Sequence, residues 1–456
     1  MPRRGLRIAF LHPDLGLGGA ERLVVDAATE LVKNGHHVDM YTTYYDPTRC
    51  FEETRGSGGF SVTVAGGWFP RQILGRLTAL CAYIRCILAA LSMVWISWTY
   101  RRSTIMAGWQ PCYDVIIVDQ VSAAVPFLRL TSSKLIFYCH FPDLLLSQGR
   151  SSSALKRLYR APLDILEEVS TGMADLVLVN SNYTRGVFKD TFKRLHVSGV
   201  NPEVAYPAVP IPSDRQLSEA ESKWGTELDP ALVSFIRGSS NSPSTSSSSQ
   251  QQVLLSINRF ERKKGIGLAV QALAILLKKR KEADAGGRRQ QQQPKLVIAG
   301  GYDVRLAENR VHLEELKQQV QDLGLQDYVM FLPSFTDRQR ALLLAACTAV
   351  LYTPQNEHFG IVPLEAMAAG RPVVACSSGG PLESVVNGSS GWLCEPVPEI
   401  WAEAMSKVLE PDAAKLMGLN ARKHVMSKFS RDFLGKQLDG YVRQLANNSS
   451  GTHKTS

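Results

Sequence analysis

Two glutamates eight positions apart, Glu357 and Glu365, frame the segment YTPQNEHFGIVPLEAMAAG at residues 352–370. Carboxylates at this spacing can accept hydrogen bonds from the hydroxyls of a ribose and of a second sugar. Between them, the amides of Phe359, Gly360 and Ile361 fall at a strand-to-helix junction, where backbone N–H groups bind anions. Pro363 suits the first helical position and Gly370 the helix end, which would put Glu365 in the first turn. A glutamate offsetting a helix dipole explains Glu365 alone but not the rest of the motif.

A second motif, SINRFERKKG at residues 256–265, sends Arg259 and Lys264 out of the end of an apolar run. Arginine offers a planar fork and lysine a point charge, a pairing suited to a diphosphate. A solvated basic loop is the plainer alternative. A third, DLGLGGAERL at residues 14–23, carries Gly16, Gly18 and Gly19 ahead of an amphipathic stretch. It reads either as a ligand-approaching loop or as a tight strand-to-helix turn, and it matches neither G-x-G-x-x-G nor a Walker loop. A fourth, KLIFYCHFPD at residues 134–143, sets His140 and Asp143 just past another apolar run, where they serve structure or chemistry equally well.

The elements that must hold these groups alternate regularly. Strands are expected at residues 6–11, 37–41, 113–118, 134–138 and 176–179, with helices at 20–33 and 158–173. After about residue 210 the rhythm restarts, with strands at 253–257, 295–299, 329–331, 349–352 and 372–375. Helices are expected there at 267–277, 311–323, 336–346 and 363–369. Apolar strands alternating with helices imply parallel sheet covered on both faces. The fold class is therefore α/β, two doubly wound Rossmann-like domains facing a cleft, with ligands at the carboxyl ends of the strands. The expected domains are 1–207 and 208–425, joined near the proline-rich residues 206–212, with a C-terminal helix at 426–446 packing back on the first. Residues 239–252 and 279–294, rich in Ser, Gln and charge, are expected as disordered inserts.

With 456 residues, 45 % hydrophobic, the chain has ample core for such domains and is neither a disordered chain nor a small disulfide scaffold. Its net charge of +9 is concentrated in two places. Residues 54–113 hold six Arg and no Asp or Glu, and residues 278–295 hold seven basic and two acidic residues, leaving the remainder slightly acidic. Nothing resembles a basic face interleaved with aromatics, so no nucleic-acid partner is implied. Residues 77–100 carry one charge, Arg85, in 24 residues. A helix there is long enough to cross a bilayer, with Trp95, Trp98, Tyr100 and the following Arg101–Arg102 suited to an interface. A helix on one leaflet, a span and a buried core helix all fit, within a membrane-associated segment placed at 73–102. The first apolar run is too short for a signal peptide and reads as a buried strand. The eight Cys form no C-x-x-C pair, as expected of reduced thiols facing the cytosol.

The HFGIVPLEAMAAGRPVVA segment with Glu357 and Glu365, together with the Arg259…Lys264-Gly265 loop, resembles the donor site of the retaining glycosyltransferase family 4, of GT-B fold. HPDLGLGGAERLVVDAA, YCHFPD and INRFERKK are more narrowly similar to the eukaryotic dolichol-pathway mannosyltransferases of asparagine-linked glycosylation. The resemblance covers nearly the whole chain. It implies transfer of mannose from GDP-mannose to monomannosyl chitobiose diphosphate dolichol, first α-1,3 and then α-1,6, at the cytosolic face of the endoplasmic reticulum membrane. Other dolichol-pathway glycosyltransferases are implied as partners. By motif, Glu365 would bind ribose, Glu357 the donor mannose, and Arg259 and Lys264 the diphosphate. Gly18 and Gly19 would lie near donor phosphate and acceptor, and His140 would line the sugar. The resemblance implies front-face attack with no protein nucleophile. No D-x-D motif occurs, so no metal and no cofactor besides the donor substrate is expected.

Overall fold

The computed structural model describes residues 4–73, 77–103, 112–146, 154–238, 252–285 and 293–451. It divides into two compact units, Met1–Ala208 with Arg431–Ser456, and Val209–Ser430.

The first unit contains β1 (Arg7–His12), β2 (His37–Thr42), β3 (Ser61–Val64), β4 (Val115–Asp119), β5 (Lys134–Cys139), β6 (Leu176–Val179) and β7 (Glu203–Val204). They form one sheet in the order β3-β2-β1-β4-β5-β6-β7, every pairing parallel. Ile8, Phe10, Val115, Ile117 and Ile136 face one layer, where helix Gly19–Lys33 supplies Val24, Ala28 and Leu31. Helix Arg431–Gly451 completes that layer with Leu434, Leu438 and Val442. It is fixed by Gly435, whose carbonyl accepts from Asn34 at 3.1 Å, and by Asp439, 2.6 Å from His36 Nε2. Leu11, Ile116, Val118, Leu135 and Phe137 face the opposite layer.

Helix Thr78–Ser103 lies in that second layer. By length and composition it is the one helix among the described residues able to cross a membrane, yet 44 % of its most apolar stretch is buried inside the unit. Cys86, Ala89, Ala90 and Met93 pack into the core, and buried Arg85 donates to the Thr43 carbonyl. The other face exposes Leu91, Trp95 and Trp98. The core-helix reading thus describes its inner face, while its outer face is exposed. Of its three arginines, Arg85 is the buried one within the core-packed stretch.

The second unit contains β8 (Val253–Ile257), β9 (Lys295–Gly300), β10 (Val329–Pro333), β11 (Ala349–Tyr352), β12 (Val373–Cys376) and β13 (Gly391–Cys394). Their order is β10-β9-β8-β11-β12-β13, again parallel throughout. Helix Gly267–Ala285 packs on it beside helix Pro398–Val408, which buries Trp401 completely.

Two expectations need correction. The insert placed from 279 is helical as far as Ala285, because Arg280 is buried and bonds Gln252 at 2.7 Å. Residues 239–251 and 286–292 lie outside the described residues. The helix expected from Pro363 begins instead at Ile361, with Gly360 as its N-cap. Proline is tolerated at its third position because the first four helical N–H groups have no intrahelical acceptor. Glu365 therefore stands in the second turn rather than the first. All eight cysteines are free and buried.

Candidate active site

In the second unit the chemistry gathers where β8 and β11 end. β8 runs into Asn258-Arg259-Phe260-Glu261 and a short 3-10 turn, Arg262–Lys264, closed by Gly265 in the left-handed region at φ 60°. The Lys264 carbonyl accepts from Thr353 Oγ1 at 2.7 Å, tying this turn to the end of β11. That tie aims the Lys264 ammonium at Glu357, and the two form a salt bridge with Lys264 only 11 % exposed. Sequence reading assigned both residues to ligands without pairing them.

The loop bearing Glu357 lies flat on the turn after β12. Gly380 N–H donates to the Glu357 carbonyl at 2.8 Å. A Cβ at Gly379 would stand 2.4 Å from that oxygen, and one at Gly380 would stand 2.0 Å from the Phe359 carbonyl oxygen. Side chains at either position would push the loop away from its support. Phe359 is buried and packs against Phe429 with ring centroids 5.9 Å apart and the rings tilted by 52°, while Gly360 and Ile361 open the helix. The first N–H groups of that helix point beyond its end, a geometry suited to phosphate.

Glu365 is held by Arg340 Nη1 at 2.8 Å, from helix Asp337–Ala346. Burial raises the Glu365 carboxyl above its ordinary value, and Arg340 acts against it. Arg259 stands apart. Its side chain is 64 % exposed and pairs with Glu261 at 3.0 Å, and its stem passes over Gly301. The structure therefore brings Lys264 to Glu357 and leaves Arg259 extended at the same strand end.

In the first unit His140, just past β5, is not alone. Its Nε2 lies 2.8 Å from Asp119 Oδ1, and the other Asp119 oxygen lies 2.6 Å from His12 Nδ1. His12 ends β1 and Asp119 ends β4, so three adjacent strands deliver one His–carboxylate–His array at their carboxyl ends. Asp119 is 1 % exposed and His12 is fully buried. Burial works against the charged His12 ring, but Asp119 and nearby Glu21 outweigh it and raise its pKa to about 9. Burial also pushes Asp119 up, yet His140 and His12 hold it below its ordinary value.

Glu21, in the first turn of helix Gly19–Lys33, sits 3.9 Å from His12 Nε2. It folds back over Gly18, where a Cβ would lie 2.1 Å from its Oε2. Gly18 thus makes room for a carboxylate, while Gly19 has open space about it. Asp143 bonds Arg160 at 2.8 Å and opens a short turn whose amides Glu167 accepts, a structural role.

Sequence reading missed His12, Asp119, Glu21 and Arg340. For His12 and Asp119 a signal existed: each is a polar residue closing an apolar strand of an open parallel sheet. Glu21 and Arg340 carried no such mark. Among the described residues, no group of three or more His, Cys, Asp or Glu is placed to hold a metal ion.

Two doubly wound parallel sheets, with a glycine-rich first turn in one and a Lys–Glu pair beside a helix N-terminus in the other, define a GT-B glycosyltransferase. The family model "Glycosyltransferase Family 4" matches residues 17–210, and "Glycosyl transferases group 1" matches residues 239–424. The chain is 45 % identical over 444 residues to the human alpha-1,3/1,6-mannosyltransferase ALG2, covering 96 % of each. It is 42 % identical to the namesake from Dictyostelium discoideum, covering 96 % of this chain and 98 % of that one. Among solved structures, a sucrose-phosphate synthase from Thermosynechococcus elongatus shares the fold at TM-score 0.65 and 20 % identity, covering 96 % of this chain and 99 % of that one. Anabaena HepE with UDP and glucose does so at 0.62 and 21 %, covering 96 % and 100 %. The chain belongs to the alpha-1,3/1,6-mannosyltransferase family.

Proposed function

We propose that this protein is a retaining mannosyltransferase. It takes mannose from GDP-mannose and adds an α-1,3 and then an α-1,6 mannose to monomannosyl chitobiose diphosphate dolichol. The observation that carries this reading is the Lys264–Glu357 pair, in a chain 45 % identical to the human enzyme along nearly its whole length. With donor bound, Lys264 turns from Glu357 to the diphosphate and stabilises the charge that develops on the leaving group, the effect that contributes most in such reactions. Glu357, released, accepts from mannose hydroxyls. Glu365 accepts from the ribose, and the amides of Phe359, Gly360 and Ile361 face phosphate. Arg259 adds a second cation from the same loop. His140 is assigned to the sugar and Gly19 leaves room for substrate, while the space at Gly18 holds the Glu21 carboxylate. No side chain is assigned as nucleophile, and the reading requires no metal or other cofactor. The leaving phosphate oxygen accepts the proton of the attacking hydroxyl, so the C1–O bond to phosphate breaks as the new glycosidic bond forms on the same face.

The acceptor is lipid-linked, and the exposed stripe of Leu91, Trp95 and Trp98 supports a working position against a membrane. We place it at the cytosolic face of the endoplasmic reticulum, where other glycosyltransferases of the dolichol pathway are its neighbours. Offering the full-length protein GDP-mannose, UDP-glucose and UDP-N-acetylglucosamine in parallel, with a short-chain monomannosyl lipid acceptor, tests the donor assignment. Product from GDP-mannose alone is expected; product from a uridine donor alone refutes the reading.

A further inference from the structure

His140 is held from three neighbouring strands. Its Nε2 lies 2.8 Å from Asp119 Oδ1, at the end of β4. Its carbonyl accepts from Asn180 Nδ2 at 2.9 Å, just past β6. Its ring packs against Tyr138 of β5 with centroids 4.8 Å apart, tilted by 57°. The side chain is 22 % exposed, and among the described residues its Nδ1 has no hydrogen-bond partner.

The protons of this array follow from its charges. Burial pushes Asp119 up, but His140 and His12 hold it below its ordinary value. It is a carboxylate, which accepts and cannot donate. Both ring nitrogens that touch it therefore carry a proton: Nε2 of His140, and Nδ1 of His12 at 2.6 Å. His12 also has Glu21 at 3.9 Å from its Nε2, so it faces a carboxylate at each nitrogen and carries the positive charge of the array. That ion pair takes one Asp119 oxygen. The other oxygen needs only a donor, which a neutral imidazole supplies through Nε2 while keeping a lone pair on Nδ1.

A backbone observation bears on the same spot. Gln120, directly after Asp119, adopts φ 63°, the left-handed region that residues with a Cβ rarely enter. Its N–H donates to the Tyr138 carbonyl at 3.3 Å, which ties the bend to the strand that carries His140. Such outliers persist where the surroundings over-determine them, and they gather at functional sites.

We infer that Asp119 is the positioning residue of His140: it keeps the ring proton on Nε2, so that Nδ1 accepts a hydroxyl of the transferred mannose. The inference rests on the proposed function, in which His140 meets the sugar. It adds the direction of that hydrogen bond and the residue that sets it.

The test uses full-length protein with ¹⁵N-labelled histidine at neutral pH, the His140 signals being those lost in His140→Ala. Wild type is expected to show Nε2 protonated and Nδ1 bare; a proton on Nδ1, or an average of the two tautomers, overturns the inference without any variant. In Asp119→Asn the amide offers one oxygen and one NH2. The oxygen goes to the cationic His12, the NH2 faces His140, and the His140 proton should move to Nδ1. An unmoved proton overturns the inference.

Transfer from GDP-mannose to the short-chain monomannosyl lipid supplies the second readout. Asp119→Asn and His140→Ala should each lower kcat at least about tenfold, the loss of one hydrogen bond to substrate. The double variant should match His140→Ala within about twofold, because Asp119 acts only through that ring. Losses that multiply would make Asp119 a residue of the fold alone. Unchanged kcat in His140→Ala overturns the inference and leaves the donor assignment standing, since product still forms from GDP-mannose. Product from a uridine donor only refutes the donor assignment, and the same cycle run with that donor then decides Asp119.

Discussion

Lys264 and Glu357, 93 residues apart in sequence, meet in one salt bridge at the ends of adjacent strands β8 and β11. The pair satisfies both charges within the protein, and under the proposed function a donor diphosphate would compete with Glu357 for Lys264. Under that proposal, the cation that meets the leaving group is already positioned by the salt bridge.

Lys264→Ala is expected to lower kcat by about 10²–10³-fold, the usual loss when one charge-stabilising donor is removed. Circular dichroism and the melting temperature should remain close to wild type, since the residue sits on a loop. Unchanged turnover would remove Lys264 from the leaving-group side.

Glu357 and Glu365 should separate in their effects. Glu357→Ala is expected to reduce kcat while GDP affinity by calorimetry stays within about twofold. Glu365→Ala should weaken GDP by about tenfold, the loss of a charge-assisted hydrogen bond to ribose. Equal loss of GDP affinity in both variants would reassign Glu357 to the nucleotide.

The His12–Asp119 pair makes stability depend on pH. The folded-state pKa of His12 is raised from 6.5 to about 9. Its contribution is therefore complete below about pH 6.5 and disappears as pH rises through 9, a change of about 3 kcal/mol at 1.36 kcal/mol per unit. Asp119 and Glu21 are held below their ordinary values, so their contributions are present above the carboxylate range and disappear in acid. Denaturation of wild type and His12→Asn from pH 5 to pH 10 should show the alkaline slope in the wild type alone. Parallel curves would show that folding leaves the His12 pKa at its ordinary value.

Trp95 and Trp98 face outward from a helix whose other side is core. Trp95→Ser with Trp98→Ser should reduce sedimentation with anionic lipid vesicles severalfold and barely move the melting temperature, as exposed substitutions rarely do. Undiminished vesicle binding would place the membrane contact elsewhere.

Periodicity sufficed for most strands, because buried parallel strands such as residues 253–257 and 349–352 read as unbroken apolar runs bounded by turns. It failed for β3, whose residues are mostly exposed, for β7, only two residues long, and for β13, a four-residue edge strand. Glu357, Glu365, Lys264 and His140 were legible because each lies in a motif beside a strand end. The pairing of Lys264 with Glu357 was not, since it depends on β8 and β11 being neighbours in a sheet whose order the sequence does not state. His12 and Asp119 were passed over for the same reason: β1, β4 and β5 are adjacent in space but separated in sequence. Arg340 reaches Glu365 from a helix packed alongside, a tertiary contact without a local signal.

The central claim is that one donor site in this chain transfers mannose with retention to two positions of a lipid-linked glycan. Its most direct test is product analysis by NMR after incubating the full-length protein with GDP-mannose and short-chain monomannosyl chitobiose lipid, for wild type and Lys264→Ala. The account predicts an α-1,3 mannose followed by an α-1,6 mannose with wild type, and loss of both together in the variant. A β linkage, no incorporation from GDP-mannose, or loss of only one linkage in Lys264→Ala would contradict it.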